Sequence, residues 1–195
     1  KNNMISDVAA YGNATAGPRN GYGILITAGA GYNLYFNSVH LNSDQTLAGG
    51  LPAAINITSG VSAAGAIDLR NNIFTNSQTV GTERYAIYSG AANTVFSNID
   101  YNDYFTTGPN LGFIGSNRAT LTDIQTGFGG NTNSENVQPS FISFTDLHLT
   151  LGGTPGLDGQ ATPIAGITTD IDGDTRNATT PDIGADEFAA LVGLD

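Results

Sequence analysis

Cysteine is absent, and charged residues make up only 12% of the 195 residues. Without cysteine the chain can form no disulfide bond. The lack of disulfide bonds is more usual in bacterial surface proteins than in extracellular eukaryotic domains, and it favours a prokaryotic origin. Six basic residues stand against 17 acidic ones, and the net charge of −11 makes nucleic acid and anionic membrane surfaces poor partners. No apolar run reaches the roughly 18 residues of a membrane span, so we predict no membrane insertion.

Glycine, with 26 residues, and asparagine are abundant instead. Both tolerate the left-handed backbone conformation of tight turns, which suits a turn-rich all-β chain. Apolar residues recur in short regular clusters, a pattern that is not typical of disorder. Residues 1–4 resemble neither a signal peptide nor a natural start, so we expect a piece of a longer precursor.

A repeat runs through the first half of the chain. Residues 1–7, 36–42, 70–76 and 96–102 align without gaps, with small polar residues at positions two and three and Asn or Asp at position seven. The apolar fourth positions are Met4, Val39, Ile73 and Ile99, separated by 35, 34 and 26 residues. Between them, a second set of short apolar segments places Ile24, Ile55, Ile87 and Phe113 at separations of 31, 32 and 26. The matching spacings indicate one structural repeat.

A repeat of this size without helical periodicity fits a propeller blade, a sandwich or one coil of a parallel β-helix. Glycine-rich turns, rather than two-residue hairpin loops, join the short strands and favour the coil. Coils stacked about 4.8 Å apart bring equivalent side chains together, so asparagines can hydrogen-bond along the axis. We predict this structural ladder at Asn3, Ser38, Asn72 and Asn98.

These asparagine-containing turns resemble the right-handed parallel β-helix superfamily, the pectin-lyase-like fold. Further along, D-I-D-G-D-T-R (residues 170–176) and P-D-I-G-A-D-E-F (residues 181–188) resemble the C-terminal part of large secreted bacterial β-helix repeat proteins. The most specific motif is D-I-G-A-D-E-F. The resemblance implies an all-β, right-handed parallel β-helix (a solenoid) located outside the cell or on the surface of a bacterium.

Composition divides the chain into two parts of one domain. We assign residues 1–118 to β-helix coils and residues 119–195, richer in Pro, Thr and Asp, to an irregular coil-closing and C-terminal capping segment. Residues 123–128 fit one helical turn. An open coil end exposes unpaired backbone and therefore needs a cap. No such segment precedes residue 1, so we expect self-assembly through the open N-terminal coil or stacking on preceding coils.

One group of residues has the pattern of a metal site. Asp170, Asp172 and Asp174 alternate around Gly173, and such carboxylates can converge on Ca²⁺. The alternative is an Asx turn in which Arg176 neutralises an acidic cluster. We predict no other cofactor. With two histidines and no cysteine, a structural zinc site is not expected.

The two histidines are predicted to face outward. His40 stands at a variable position of the repeat, which favours the surface, and His148 lies between the apolar Leu147 and Leu149 on a predicted strand. A row of tyrosines near the coil edges can stack on sugars or simply pack under neighbouring loops. These tyrosines are Tyr32, Tyr35, Tyr101 and Tyr104.

Members of the superfamily that the chain resembles include lyases and hydrolases acting on acidic polysaccharides. The basic candidates on the coils are Arg70, Arg84 and Arg118, and the acidic ones are Asp68, Asp100 and Asp103. The hydrolase signatures N-T-D, D-D, G-H-G and R-I-K are absent, and we assign no catalytic residue. We therefore predict a non-catalytic extracellular module with a structural or adhesive role, within a surface fibre. The alternatives are a polysaccharide lyase or glycoside hydrolase fragment and a polysaccharide-binding module.

Overall fold

A computed structural model describes residues 1–14, 21–150 and 152–188, so residues 189–195 of the predicted capping segment lie outside it. Over the described residues, the chain forms a β-solenoid in which each turn adds one short strand to each of three parallel sheets. This confirms the predicted all-β solenoid with parallel sheets. None of the described helices is long and apolar enough to cross a membrane.

The three sheets receive their strands in rotation. The first contains β1 (Met4–Ile5), β4 (Ser38–Leu41), β7 (Ile73–Asn76) and β10 (Asp103–Thr106). The second contains β2 (Tyr22–Ile26), β5 (Ala53–Ile57), β8 (Tyr85–Ser89), β11 (Gly112–Ile114) and an antiparallel edge strand, β12 (Ser116–Arg118). The third contains β3 (Tyr32–Tyr35), β6 (Ile67–Arg70) and β9 (Phe96–Asp100).

The register bears out the second predicted set of apolar residues better than the first. Ile24, Ile55 and Ile87 are paired across the second sheet as expected, although Gly112 and not Phe113 comes next. In the first sheet, Met4 is level with Ser38 and Ile73, so Val39 lies one residue out of register. Ile99 belongs to the third sheet, opposite Leu69.

The asparagine ladder lies at the turn that enters the first sheet. Asn3 Nδ2 donates to Asn37 Oδ1 (2.8 Å), Asn37 Nδ2 to Asn72 Oδ1 (2.7 Å) and Asn72 Nδ2 to Asn102 Oδ1 (2.9 Å). The backbone N–H of Asn102 donates to Ser134 Oγ at 3.0 Å, and there the ladder ends. The side chains thus bond both to one another and to the backbone of successive turns.

Two of the four predicted ladder positions are wrong. Ser38 is the first residue of β4, one position beyond the ladder, and Asn98 is exposed on β9, four positions before it. The ungapped alignment matched a polar-polar-apolar pattern that occurs both in β9 and in the following turn. The solenoid turn from Asn72 to Asn102 is also shorter than the earlier ones. The alignment therefore placed the fourth copy of the repeat on β9 and not on the turn that follows it.

The residue before each ladder asparagine has a left-handed backbone. These corner residues are Asn2 (φ 53°), Phe36 (φ 54°), Asn71 (φ 63°) and Tyr101 (φ 55°). A non-glycine residue in this conformation costs about 1–2 kcal/mol. The ladder bonds on the next residue hold the backbone in place and offset that cost.

The coils enclose an apolar core that a short helix closes. Ile55, Leu69 and Phe74 are fully buried inside the solenoid. At its C-terminal end, helix α1 (Leu121–Phe128) adds Ile124 and Phe128 to the same core. The helix begins with a capping box between Thr120 and Asp123, and Gly129 ends it in the left-handed conformation (φ 73°). The helical turn predicted at residues 123–128 is therefore confirmed and begins two residues earlier.

The rest of the chain does not extend the solenoid axis. From about residue 139 it runs back along the outer face of the first sheet, where it builds a second apolar core. That core contains Phe36, Ile73, Leu149, Leu157, Ala161, Ile183 and Phe188. Consequently β4 and β7 are buried on both faces, and only about residues 119–135 of the predicted capping segment close the coil end.

We expect Asn72→Ala to lower the free energy of unfolding by at least about 3 kcal/mol, because each buried polar group left without a partner costs about 1–3 kcal/mol. Asn72 accepts from the backbone and side chain of Asn37 and donates to Asn102. Urea unfolding measures the change. Asn98→Ala, on the exposed strand, is the control and should change stability by less than about 0.5 kcal/mol. Equal losses in the two variants would contradict the ladder.

Candidate functional site in the C-terminal segment

The D-I-G-A-D-E-F motif is a clasp that fastens the C-terminal segment to the solenoid. Asp182 accepts the backbone N–H groups of Gly159 (2.6 Å) and Phe188 (2.8 Å), and burial raises its pKa to about 7. Gly184 (φ 110°) lies so close to the first sheet that a Cβ there would be 2.6 Å from Ile73 Cδ1. The close approach and the left-handed backbone explain why glycine occupies this position.

Arg176 joins the clasp to the corner of the second turn. Its guanidinium donates to the carbonyl oxygens of Gly184 and Ala185 at 2.9 Å and pairs with Glu187 Oε2 at 3.2 Å. The same group lies 4.0 Å from the ring centroid of Phe36. Since the Arg176 side chain is almost fully buried, this cation–π contact and the carbonyl bonds replace its hydration.

The corner residues of the first and third turns, on either side of Phe36, also hold the C-terminal segment. Asn2 Nδ2 donates to the carbonyl oxygens of Thr169 (2.8 Å) and Asp170 (3.0 Å). Asn71 exchanges two hydrogen bonds with the backbone of Thr162. The left-handed corners therefore direct their side chains away from the coil and toward the C-terminal segment.

The structure gives Asp170, Asp172 and Asp174 three different environments. Asp170 is buried, and its Oδ1 accepts the backbone N–H groups of Asp172, Gly173 and Asp174 at 2.9–3.0 Å, while its Oδ2 accepts that of Glu187. Asp172 turns to His148, and the side chain of Asp174 is exposed. This geometry matches the Asx-turn alternative and not the convergent calcium set.

A different set of ligand atoms converges within the described ranges. His148, Asp172 and Asp186 each offer one atom, and these atoms all lie within 4.8 Å of one another. His148 Nε2 is 2.7 Å from Asp172 Oδ2, and His148 Nδ1 is 2.5 Å from Asp146 Oδ1. Asp186 is nearly buried, and its Oδ2 accepts the N–H of Leu149 at 2.9 Å.

The charges around His148 are strongly unbalanced. The hydrogen bond with Asp146, together with that to Asp172, raises the pKa of His148, although burial opposes this shift. Burial raises the pKa of Asp186, and the backbone N–H of Leu149 opposes that shift. Three carboxylates thus face one imidazole at the surface of an acidic protein.

An open groove lies between β4 and the start of the returning segment. It has a volume of about 360 Å³ and is lined by His40, Pro139, Ser140, Phe141, Ser143 and Phe144. The Phe144 side chain is 74% exposed, whereas His40 is buried beneath Phe141, with ring centroids 5.3 Å apart. The predicted surface position of His40 is wrong, because the returning segment covers the outer face of the sheet. His148 is partly exposed between buried Leu147 and Leu149, as expected, although residues 146–148 form no strand.

The basic side chains considered for catalysis are bound to the scaffold. Arg70 donates two 2.7 Å hydrogen bonds to Asp68. Arg84 donates to the carbonyl oxygens of Gly81 and Thr107, and Arg118 to that of Ile114. These contacts leave each guanidinium tied to a neighbouring loop or strand.

The acidic candidates have structural partners as well. Asp100 binds the backbone and side chain of Asn133, and Asp103 is fully buried beneath the returning chain, where it accepts the N–H of Val137. Burial raises the pKa of Asp103 well above its usual value.

The expected row of tyrosines does not form as a set. Tyr104 is fully buried and donates to Asn131, and the hydroxyl of Tyr35 donates to Asp68. The exposed aromatic ring beside a groove is Phe144 instead.

Comparisons with protein-family models, with curated proteins and with solved structures gave no match.

Sequence reasoning missed the convergence of His148 with Asp172 and Asp186. These residues are 24 and 14 positions apart, and among the described residues between them no strand or helix of regular periodicity occurs. The local signal was the D-x-H spacing of Asp146 and His148, which places a carboxylate beside the imidazole.

We expect Asp170→Ala to lower the free energy of unfolding by about 3 kcal/mol or more. The substitution removes the acceptor of four backbone N–H groups, and the carboxylate bonds are charge-assisted. Thermal or urea unfolding measures the loss. Asp174→Ala removes the same charge from an exposed side chain and should have an effect below about 0.5 kcal/mol. If the two variants were equally stable, the Asx turn would not matter for the fold.

His40 should make the protein less stable as the pH falls. Burial lowers its pKa from 6.5 to about 4, so below pH 6.5 the unfolded chain takes up a proton before the folded protein does. Stability is therefore lost progressively as the pH falls from 6.5 toward 4, by up to about 1.4 kcal/mol per pH unit. His40→Gln keeps a partner for Ser77 and does not titrate. Urea unfolding across this range should give a shallower pH dependence for the variant, and parallel curves would disprove the assignment.

Proposed function

We propose that the chain is a non-catalytic β-solenoid module with a structural or adhesive role on the surface of a bacterium. The observation that carries this proposal is that the charged side chains considered for catalysis are engaged in structural contacts on the coils. Arg70, Arg84 and Arg118 are held by carboxylate or carbonyl oxygens, and Asp103 is buried under the returning segment. A lyase needs a free base beside its substrate, and a hydrolase needs two accessible carboxylates.

The proposal includes assembly through the first coil. Among the described strands, β1 pairs with β4, β2 with β5 and β3 with β6, so the opposite edges of all three first-turn strands have no strand beside them. Leu25 on β2 is about half exposed. Such an edge is a template for another strand, and the occupant that matches it is a further coil of the same kind. Continued stacking of this kind gives a fibre.

The family remains part of the proposal. The asparagine turns that resemble the right-handed, pectin-lyase-like β-helices support it, as does the ladder that these turns form. The absence of cysteine favours a bacterial origin, and the same resemblance supports secretion to the cell surface.

Polysaccharide binding is the second candidate function. Phe144 is exposed between the groove at His40 and a smaller one of about 250 Å³ lined by Asp7, Asn42, Ser43 and Thr145. An exposed aromatic ring flanked by hydroxyl, amide and carboxylate groups suits stacking on a sugar.

A polysaccharide panel and a measurement of assembly test these functions together. We expect pectin, alginate and chondroitin to remain uncleaved, as judged by reducing ends and by the ultraviolet absorbance of unsaturated uronic acids. Sedimentation velocity over increasing protein concentration should show association. Cleavage of any of these substrates would overturn the non-catalytic role, and a strict monomer would overturn assembly. Binding without cleavage that Phe144→Ala abolishes would favour the polysaccharide-binding module.

A further inference from the structure

We propose that His148, Asp172 and Asp186 form a binding site for a divalent transition-metal ion, with Zn²⁺ as the best fit. The three residues come from different parts of the returning segment. Their ligand atoms lie within 4.8 Å of one another, although the segment has almost no regular secondary structure. Contacts other than hydrogen bonds to one another fix two of these side chains in position.

The first fixed side chain is His148. Asp146 Oδ1 lies 2.5 Å from Nδ1 and also accepts the backbone N–H of His148. A carboxylate on one imidazole nitrogen sets the tautomer and ring orientation and leaves Nε2 to bind a metal, as in most histidine–metal sites. Here Nε2 lies 2.7 Å from Asp172 Oδ2, and Asp186 offers a third ligand atom within 4.8 Å of the other two.

The second fixed side chain is Asp186, at 8% exposure the most buried of the three ligands. The N–H of Leu149 holds its Oδ2 in place. A carboxylate that is largely withdrawn from solvent is stabilised by a cation beside it. A metal ion beside His148 would provide that cation.

The distance between His148 and Asp172 requires only a small adjustment. Zn–N and Zn–O bonds of about 2.0–2.1 Å in a tetrahedral arrangement place two ligand atoms about 3.3 Å apart. Nε2 of His148 and Oδ2 of Asp172 are now 2.7 Å apart, the length of a hydrogen bond. Asp172 is about half exposed, so a slight rotation of its side chain opens the required space.

The donor set also selects the metal. One imidazole nitrogen with two carboxylate oxygens suits Zn²⁺ and related ions, whereas Ca²⁺ takes six to eight oxygen ligands. Three protein ligands leave a fourth position for water. The bound ion would link residues 146–148, the turn at residues 170–174 and the clasp. It would also offset the negative charge of the three carboxylates.

Isothermal titration of the protein without a histidine tag, using ZnCl₂ as the probe, tests the site. We expect one ion per chain and a melting temperature about 5 °C higher at a 100-fold excess over the dissociation constant. CaCl₂ should give neither effect. Tetrahedral Co²⁺ absorption in the visible region would report the imidazole-and-carboxylate geometry directly.

Matched variants separate this site from general attraction to an acidic surface. His148→Gln and Asp172→Asn should weaken Zn²⁺ binding by roughly 100-fold or more. Asp146→Asn should weaken Zn²⁺ binding by roughly 10- to 100-fold, because the Asp146 carboxylate orients the imidazole without touching the metal. Asp174→Asn removes an equal charge two residues from Asp172 and should leave affinity within about twofold. His148 and Asp172 are partly exposed, so these variants should fold.

The results that would overturn the site are equally specific. No saturable Zn²⁺ binding by the folded wild-type protein would do so. So would equal losses in Asp172→Asn and Asp174→Asn, which would indicate diffuse charge attraction. A response to CaCl₂ that survives His148→Gln would show an all-oxygen site elsewhere.

Discussion

The hydrogen-bonded ladder of Asn3, Asn37, Asn72 and Asn102 is the constraint on which the rest of this structure depends. An asparagine side chain can donate and accept at once, so each member bonds to the next turn while also satisfying its backbone. Because these groups are buried, a slipped turn would leave both donors and acceptors without partners. The ladder therefore fixes where every strand of the first sheet begins.

The ladder also determines what happens outside the coil. It holds the preceding residue in the left-handed conformation, and this conformation sends the corner side chain outward. Asn2 and Asn71 bind the returning segment through side-chain hydrogen bonds, and Phe36 binds it through a cation–π contact. The same turns that define the solenoid thus provide the attachment points for the chain that covers its first sheet.

The sequence was most informative where packing is repetitive. Ile24, Ile55 and Ile87 could be placed because each occupies the same environment in successive turns. Asn98 and Asn102 could not be distinguished, since both lie near an apolar residue and only the three-dimensional register separates them. His40 points away from the coil, as its variable position suggested, but its burial depends on Phe141 about 100 residues later. No local pattern contains that information.

The candidate site was still harder to predict, because the acidic residues of this segment either accept backbone N–H groups or offer ligand atoms for a metal. In a segment with almost no strands, backbone N–H groups need other acceptors, and carboxylates provide them. Asp170 and Asp182 are fully committed in this way. The sequence does not show which of these carboxylates accept backbone N–H groups. The alternating Asp170, Asp172 and Asp174 therefore looked like one ligand set.

Asp186 shows how the two tasks combine. Its Oδ2 accepts the backbone N–H of Leu149, and its carboxylate lies beside His148 and Asp172. The carboxylates that accept backbone N–H groups repel one another. Arg176 relieves this repulsion next to Glu187, Asp170 and Asp182. Near His148 the described residues contain no comparable cation other than the imidazole itself. A bound divalent ion would therefore complete a charge balance that the fold, through its need for acceptors, has left open.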